Sequence, residues 1–437
     1  MAKIAFYTLG CKVNQADSAS MENLFLRAGH QIVSFDSDAD VYIINTCVVT
    51  NTGQRKSRQT IHRAIRKRPD ALIVVTGCYP QTAAEEVKAI AGVDLIIGNQ
   101  DRAQIVQMVE ERLQHRRVDT VDAVHKLTAN TAFEEMAAGD ITDKTRAFLK
   151  IQEGCNQFCT YCIIPYARGP LRSRSLEGIC TETQRLVNAG FKEIVLIGIH
   201  LGCYGKENPG GPTLYDAVKT VLAVPGVQRV RLGSLESVEV EPRLLELMQQ
   251  DSRFCRHLHL PLQSGCDKIL QAMHRPYTTG KFKTLLADIR AAVPDIAITT
   301  DVIVGFPGET EEDFAVTCQF AESCGFSKMH IFPFSSRKGT PAEKFAGTVT
   351  EAVKKERADV LGKIDEAMHR SFLEGMVGKK AEVLFEQPAG EFFEGLTGNY
   401  QRVFVPADGQ NLSGEILPVK ITAFDGEKLL GEIIKNK

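Results

Sequence analysis

The chain has 437 residues, enough for about three domains, each with its own core. Its 43% apolar and 24% charged content is that of a globular protein, and a net charge of −2 excludes any chain-wide attraction to nucleic acid. No apolar run approaches the roughly 18–20 residues of a membrane span, the N-terminus lacks a signal-peptide layout, and twelve cysteines without a small-domain framework point to a reducing cytoplasm and to metal rather than disulfides.

From residue 1 to about 112 strand-like and helix-like runs alternate. Strands are expected at 4–8, 41–45, 72–76 and 94–97, and a helix at 17–28 places Met21, Leu24, Phe25 and Ala28 on one face. Such alternation reads as a parallel sheet covered by helices. Cysteines recur at equivalent turns: Gly10-Cys11, Asn45-Thr-Cys47 and Gly77-Cys78 follow the first three strands. Parallel strands point one way, so all three cysteines should emerge on the carboxyl edge, where open α/β sheets bind ligands. Free cysteine is often simply buried, but recurrence at three turns favours a second metal site. The helix after Cys47 carries seven Lys or Arg and no acid over 54–68. It is either a solvated face or a phosphate-binding one.

Residues 113–144 are polar, lack a clear period and read as a connector. From 145 to 370 the strand–helix pattern returns. Six strands are expected at 147–151, 193–198, 227–233, 257–262, 297–304 and 328–333, with helices between them, and a charged helix follows at about 350–374. Six βα units make a partly open barrel whose site lies at the carboxyl ends of its strands. The loop after the first strand reads Cys155-Asn-Gln-Phe-Cys159-Thr-Tyr161-Cys162. A closed zinc site needs four ligands, and no further Cys or His follows until Cys180. Three thiolates fit best an iron–sulfur cluster with one iron left open. Gly198 with His200, Glu236, Gln263 and Gly305 lie at the ends of the next four strands. Each glycine has a turn-forming reading and each histidine a structural one; their recurrence at one face is what points to a ligand. No GxGxxG, P-loop or HExxH pattern occurs.

Residues 371–437 show short alternating runs at 381–386, 395–405, 416–423 and 429–434. They read as a small antiparallel barrel. Tyr400, Arg402 and Phe404 are candidates for base stacking, although seven Lys or Arg stand against ten Asp or Glu here.

With both cysteine triads placed, the chain resembles the radical S-adenosylmethionine (SAM) methylthiotransferases over nearly its whole length. The matching stretches are Leu9-Gly-Cys11-Lys-Val-Asn-Gln15, Asn45-Thr-Cys47-Val-Val-Thr50, Gly77-Cys78-Tyr-Pro-Gln81, Gly154-Cys155 to Tyr166, and Leu260-Pro-Leu-Gln-Ser-Gly265. The resemblance implies an α/β multidomain fold. Residues 1–112 would be an N-terminal methylthiotransferase domain, 113–144 a connector, 145–370 a partly open (β/α)6 radical SAM core, and 371–437 a TRAM domain, a small OB-like β-barrel. It implies two 4Fe–4S clusters, one on Cys155, Cys159 and Cys162, the other on Cys11, Cys47 and Cys78. It also implies SAM as methyl donor and radical source, with Tyr161, Gly198, Glu236, Gln263 and Gly305 near it.

The wording around Cys11 and Cys47 is similar to that of the branch acting on N6-threonylcarbamoyladenosine next to the tRNA anticodon. Ala16-Asp17, where that branch more often has Tyr-Glu, and Cys266, where Ser is common, depart from it. In that family a 5′-deoxyadenosyl radical removes hydrogen from C2 of the adenine, and a methylated sulfur of the auxiliary cluster adds there. The implied partners are the tRNA anticodon loop and a reducing donor such as a flavodoxin or ferredoxin, in the cytoplasm and without a membrane. The basic helix and the run Arg168-Gly-Pro-Leu-Arg172-Ser-Arg174 are the candidate phosphate contacts. Alternatives are action on isopentenyladenosine in tRNA or on a ribosomal-protein aspartate, and, in another class, an iron–sulfur RNA-binding or redox-sensing protein without turnover.

Overall fold

A computed structural model describes residues 1–115, 119–139 and 145–435. Parts of the expected connector (116–118 and 140–144) and the last two residues of the expected C-terminal domain lie outside the described residues.

The first layer is β1 (Lys3–Thr8), α1 (Lys12–Arg27), β2 (Gln31–Val33), β3 (Val41–Thr46), α2 (Asn51–Lys67), β4 (Leu72–Gly77), α3 (Cys78–Lys88), β5 (Leu95–Ile97), α4 (Ile105–Gln114) and β6 (Val121–Ala123). The six strands are all parallel, in the order β2-β1-β3-β4-β5-β6. β3 and β4 are buried at every position, as strands covered on both faces must be. Two apolar clusters lie one on each side of the sheet, with Tyr42, Ile44 and Val75 in one and Val41, Ile43 and Val74 in the other. The edge strands β2 and β6 have three residues each, too few to show an apolar period. β6 lies inside the expected connector, and its pairing of Val121 with Leu95 makes that segment part of the sheet. A three-residue edge strand is held by backbone hydrogen bonds, so apolar patterning does not reveal it.

The second body comprises β7 (Arg146–Lys150), β8 (Gln152–Glu153), α5 (Ile164–Arg168), β9 (Arg172–Ser173), α6 (Leu176–Asn188), β10 (Glu193–Ile197), α7 (Leu214–Ala223), β11 (Arg229–Leu232), α8 (Pro242–Gln250), β12 (His257–His259), α9 (Asp267–Ala272), α10 (Thr279–Ala292), β13 (Ala297–Val304), α11 (Glu311–Cys324), β14 (Lys328–Pro333) and α12 (Glu351–Glu374). β7, β10 and β11 form one parallel sheet and β12, β13 and β14 another. Parallel bridges between Val230 and Phe254 and between Ser234 and His259 join the two into an open half-barrel. Alternation along the strands divides the wall. Leu149, Ile194, Leu196, Val230, Leu232, Leu258, Ile298, Val302 and Met329 enter one outer core under the helices. The intervening residues therefore face the lumen.

Helix α1 closes part of that lumen, with Val13 and Ala16 packed against Val195 and Ile197 of β10. The third body is a closed five-stranded barrel of β15 (Lys380–Ala389), β16 (Phe392–Thr397), β17 (Arg402–Pro406), β18 (Ile416–Phe424) and β19 (Leu429–Ile433), in the order β15-β16-β17-β19-β18. The run 395–405 is two strands, broken at a turn where Tyr400 has φ +68°. Nor is the barrel wholly antiparallel, since β17 and β19 are parallel. An odd number of strands cannot alternate in direction all the way round a closed barrel.

Candidate metal centres

β1, β3 and β4 are neighbours in the sheet, so the turns after them lie side by side. Strand order reverses between β1 and β3, the switch point where such sheets open a ligand crevice. Cys11 stands just before α1, Cys47 just after β3, and Cys78 opens α3. The three thiols are close enough to influence one another's ionisation. Burial pushes the Cys47 thiol up to about 11, with Cys78 and Cys11 adding to the shift. Gly10 has φ +104°, and a Cβ there would lie 3.0 Å from the Cys47 sulfur and 3.1 Å from Asn14 Nδ2. Glycine thus keeps the space beside the thiols open. Sulfur donors that resist ionising alone, gathered at a glycine-cleared turn, fit a cationic metal centre among them.

The second triad occupies the loop after β7 and β8. The loop is pinned from three sides. Cys155 N–H donates to Gly169 O at 3.0 Å, Thr160 N–H to Met273 O at 3.1 Å, and Ala342 N–H to Thr160 O at 2.9 Å. Phe158 sits at φ +47° and is half exposed. A bulky residue in the left-handed region is held there by its surroundings. Burial pushes the Cys162 thiol up to about 12, with Cys159 and Cys155 adding to it. Burial raises Cys159 as well, against the guanidinium of Arg275, whose Nη1 lies 3.1 Å from the sulfur. Behind Cys155, His200 Nδ1 stands 3.3 Å from the thiol sulfur and its Nε2 2.8 Å from Glu239 Oε1, to which the Cys203 thiol also donates at 2.9 Å. Three close thiols with one cation at hand suit the same kind of centre.

Beside Cys11, Cys47 and Cys78 lies Arg168, the last residue of α5 and fully buried. It donates to Asp17 Oδ2 at 3.0 Å, to Glu153 Oε1 at 2.9 Å and to Asn14 Oδ1. Its charge acts on Cys11, Cys47 and Cys78 alike. Asp17, equally buried, also takes Arg102 and Lys150, each at 2.5 Å. Burial alone would raise this carboxyl, but the three cations outweigh it and hold it far below its usual 3.8. Ile163 and Ala167 pack on Val48 and Cys78, so the turn after the barrel's cysteine loop is the floor of the other triad.

This geometry corrects the expected phosphate role of the 168–174 run. Arg172 is turned inward to Arg168 O and Pro170 O, and Arg174 to Met136 O. Both are buried, because charges alternating with Gly and Pro were needed to stitch a crossing point. The basic helix α2 is different: Arg55, Lys56, Arg58 and Arg66 face solvent.

The other expected residues surround the barrel triad unevenly. Tyr161 packs with Met273, Phe306 and Phe334 beneath the loop. Glu236 forms an ion pair with Arg275, the same guanidinium that reaches Cys159. Gln263 adopts φ +64° and pairs through its backbone with Asp301 and Ile303. Gly198 and Gly305 are close-packing positions: a Cβ would lie 2.9 Å from Gln152 at the first and 2.3 Å from Lys354 at the second. A side chain at either position would meet those neighbours, so glycine is what lets the backbone pass there. Tyr400 is turned against Arg231 and His257 of the half-barrel, and Phe404 is buried beside Phe392. Of that trio only Arg402 is exposed. Sequence reading missed Arg275 and His330; His259 and Asp301 stand at the ends of their strands in the sequence, but nothing there groups them with His330. Arg275 lies outside every motif, and the three lumen residues become a group only through strand register.

Comparison with known proteins agrees with this layout. Residues 3–98 match the family described as Uncharacterized protein family UPF0004, and residues 149–321 match the Radical SAM superfamily. The chain is 42% identical over 430 residues to the threonylcarbamoyladenosine tRNA methylthiotransferase MtaB of Bacillus subtilis, covering 96% of this chain and 94% of that protein. It is 40% identical to the protein of the same name from Aquifex aeolicus, covering 87% and 92%. To a tRNA-2-methylthio-N(6)-dimethylallyladenosine synthase of Acetivibrio thermocellus it is 34% identical, covering 98% and 90%. Among solved structures, the radical SAM methyltransferase TsrM of Kitasatospora setae shares the fold, with a TM-score of 0.58 at 12% identity over 84% of this chain and 89% of that one.

Proposed function

The chain belongs to the radical SAM methylthiotransferases, and we propose that it converts N6-threonylcarbamoyladenosine next to the tRNA anticodon into its 2-methylthio derivative. It is an enzyme of the tRNA methylthiotransferase kind, and the cofactors of its family are two 4Fe–4S clusters and SAM. The observation that carries the reading is the pair of thiol triads, one at the strand ends of the first sheet beside buried Arg168 and one in the loop after β8 beside buried Arg275. A chain that only sensed redox state would need one such centre.

Cys155, Cys159 and Cys162 would hold the cluster that faces SAM, and Cys11, Cys47 and Cys78 the second one. Bound there, the clusters and SAM supply the one-electron chemistry and the methylated sulfur, which side chains cannot. The protein's share is placement. Arg168 offsets negative charge beside Cys11, Cys47 and Cys78, and Arg275 does so beside Cys159 while fixing the Glu236 carboxylate. Glu236, with Tyr161, Gln263 and the backbones of Gly198 and Gly305, forms the proposed SAM surround. Residues 1–112 carry the sulfur-supplying centre, 113–144 join it to the core, 145–370 form the SAM core, and 371–437 close the core from below. The exposed cations of α2 are the proposed phosphate contacts. A base in a single-stranded loop is cheap to extrude, which suits an anticodon-loop target.

Two measurements test the reading. Full reconstitution should give about eight iron atoms per chain, and replacing Cys155, Cys159 and Cys162 by Ala should leave about four and abolish SAM cleavage; loss of all iron would contradict independent centres. Nucleoside mass spectrometry of tRNA from cells with and without this chain should show methylthio-threonylcarbamoyladenosine only in its presence. An effect on the isopentenyladenosine derivative instead would transfer the assignment to the other tRNA branch.

A further inference from the structure

The inner wall of the half-barrel is polar on one side, and its charges are not all matched. Glu193 takes Arg231 at 2.7 Å and Arg229 at 3.4 Å, Arg146 reaches Glu386 at 2.9 Å, and Lys150 is spent on Asp17 and Glu153. What remains is a group of four. Lys12, the residue after Cys11, extends into the lumen, where its ammonium lies 5.8 Å from the Tyr400 ring and makes no ion pair or hydrogen bond among the described residues. The Tyr400 ring stacks at 4.9 Å on His257, whose Nε2 shares the Thr299 hydroxyl with His259 Nδ1. His259 Nε2 then lies 3.2 Å from Asp301 Oδ2, and His330 stands beside it with ring centroids 5.7 Å apart.

Register explains the convergence: Asp301 pairs directly with His330 across β13 and β14, and His259 pairs with Thr299, two residues earlier on the same face. Ligand atoms of His259, Asp301 and His330 all fall within 4.8 Å of one another. Burial, and after it Arg231, His259, Lys12 and His330, push the His257 imidazole well below its ordinary pKa. Asp301 is the one carboxylate among them, and His330 is exposed and makes no hydrogen bond among the described residues. Two residues along the same face, Phe332 is 48% exposed.

We infer that Lys12, His259, Asp301 and His330 form a subsite for the polar appendage on the target base, with Lys12 taking its carboxylate and Asp301 its hydroxyl or ureido N–H. The inference rests on the threonylcarbamoyladenosine reading and names the groups that would make the choice. A carboxylate gives the free ammonium a charge-assisted partner. Donors on the appendage occupy the lone pairs that His259 leaves open on Asp301, and His330 serves as donor or acceptor. An isopentenyl group offers none of these, so seating it would bury an ammonium and a carboxylate without partners. A site built to hydrogen-bond a substrate group rejects the analogue lacking it far more strongly than an apolar slot rejects a polar one. The face of Phe332 at the rim suits the base itself.

The test uses the reconstituted full chain and labelled anticodon stem-loop RNAs, with affinity read by fluorescence anisotropy. One RNA carries threonylcarbamoyladenosine, a second the same appendage with its carboxylate reduced to an alcohol, a third isopentenyladenosine, and a fourth unmodified adenosine. Wild type should bind the first at least tenfold more tightly than the second. K12M should bind these two equally, the non-additivity of two changes that remove one contact. D301N and H330Q, on a different body from the cysteine that adjoins Lys12, should lose affinity for the first RNA and not for the fourth. Iron content and melting temperature establish that each variant is folded. A K12M protein that still prefers the carboxylate overturns the subsite and leaves the substrate assignment standing, as does equal loss on the first and fourth RNAs in D301N and H330Q. A wild type that prefers the third RNA overturns the substrate assignment itself.

Discussion

Asp17 shows how much one residue can decide. It stands in α1 where sequence comparison marks a departure, and no motif assigns it a task. In the structure it is the buried anion that three cations from separate segments share: Arg102 before α4, Lys150 on β7 and Arg168 on α5. Removing the charge strands those cations without solvent, so Asp17→Asn should destabilise the chain by about 3–5 kcal/mol, the cost of breaking a buried pair. Denaturant titration reads this directly. The same carboxylate has a pH signature. Its folded pKa lies below the ordinary 3.8, so its stabilising share is complete above that value. It is lost as pH falls below it, because the unfolded chain then binds the proton the folded chain refuses. Acid unfolding of D17N should therefore show less steepening below that pH than wild type. His200 is the second residue with a measurable consequence. With Nε2 on the Glu239 carboxylate, its Nδ1 donates to the Cys155 sulfur as the imidazolium, the form both partners favour, and hydrogen bonds to cluster sulfurs help set reduction potential. His200→Gln should lower the potential of the barrel cluster, as followed by redox titration with paramagnetic resonance. An unchanged potential would leave His200 a packing residue.

Elements were legible to the extent that their residues carry a period. The strands 193–197 and 297–304 follow from apolar, β-branched runs, and the structure places them within a residue or two of expectation. The edge strands β2 and β6 were not, since a short edge needs only backbone partners. Glycines carry a different lesson. They mark turns correctly, yet what crowds them differs: side chains at Gly198 and Gly305, main chain at Gly154. Gly154, at φ +77°, precedes the first barrel cysteine, and a Cβ there would lie 1.9 Å from the carbonyl oxygen of Pro170. Gly154→Ala combines left-handed strain of about 1–3 kcal/mol with a clash against main chain that has no rotamer to yield. It should displace the β8–β9 ribbon and cut iron incorporation to about half, because only the centre on the adjoining loop is disturbed. Iron and sulfide assay after reconstitution decides it, and full iron content would show that the ribbon yields without moving the cysteines.

At the scale of the whole molecule, sequence told which bodies exist and almost nothing of how they interlock. Cys11, Cys47 and Cys78 recur at strand ends and could be grouped from spacing. The lumen group could not, because Lys12, His259, Asp301 and His330 meet only when α1 enters a half-barrel built from residues far along the chain. The C-terminal barrel is the clearest case, since its acidity and alternating runs give no sign of which residues it packs against. It is joined to the half-barrel by buried arginines. Arg229 donates to Leu396 O at 2.9 Å and to Glu382 O at 2.6 Å, and Arg231 donates to Gly398 O at 3.0 Å and to Thr397 O at 3.2 Å. Tyr400 completes the joint, with the Arg231 guanidinium 4.7 Å and the Arg146 guanidinium 5.7 Å from its ring centroid. Hydrogen bonds from charged donors are worth about 1.5–3 kcal/mol each, and more is lost when the donor stays buried. Deleting residues 371–437 should therefore lower the melting temperature of the remainder and not merely weaken RNA binding. Calorimetry of the full chain should show the two bodies melting together. Tyr400→Ala, which leaves the small barrel intact, should reproduce part of that loss, about 1–3 kcal/mol. A truncated chain with undiminished melting temperature would make the C-terminal barrel a tethered module after all, and its contacts with Arg229 and Arg231 incidental.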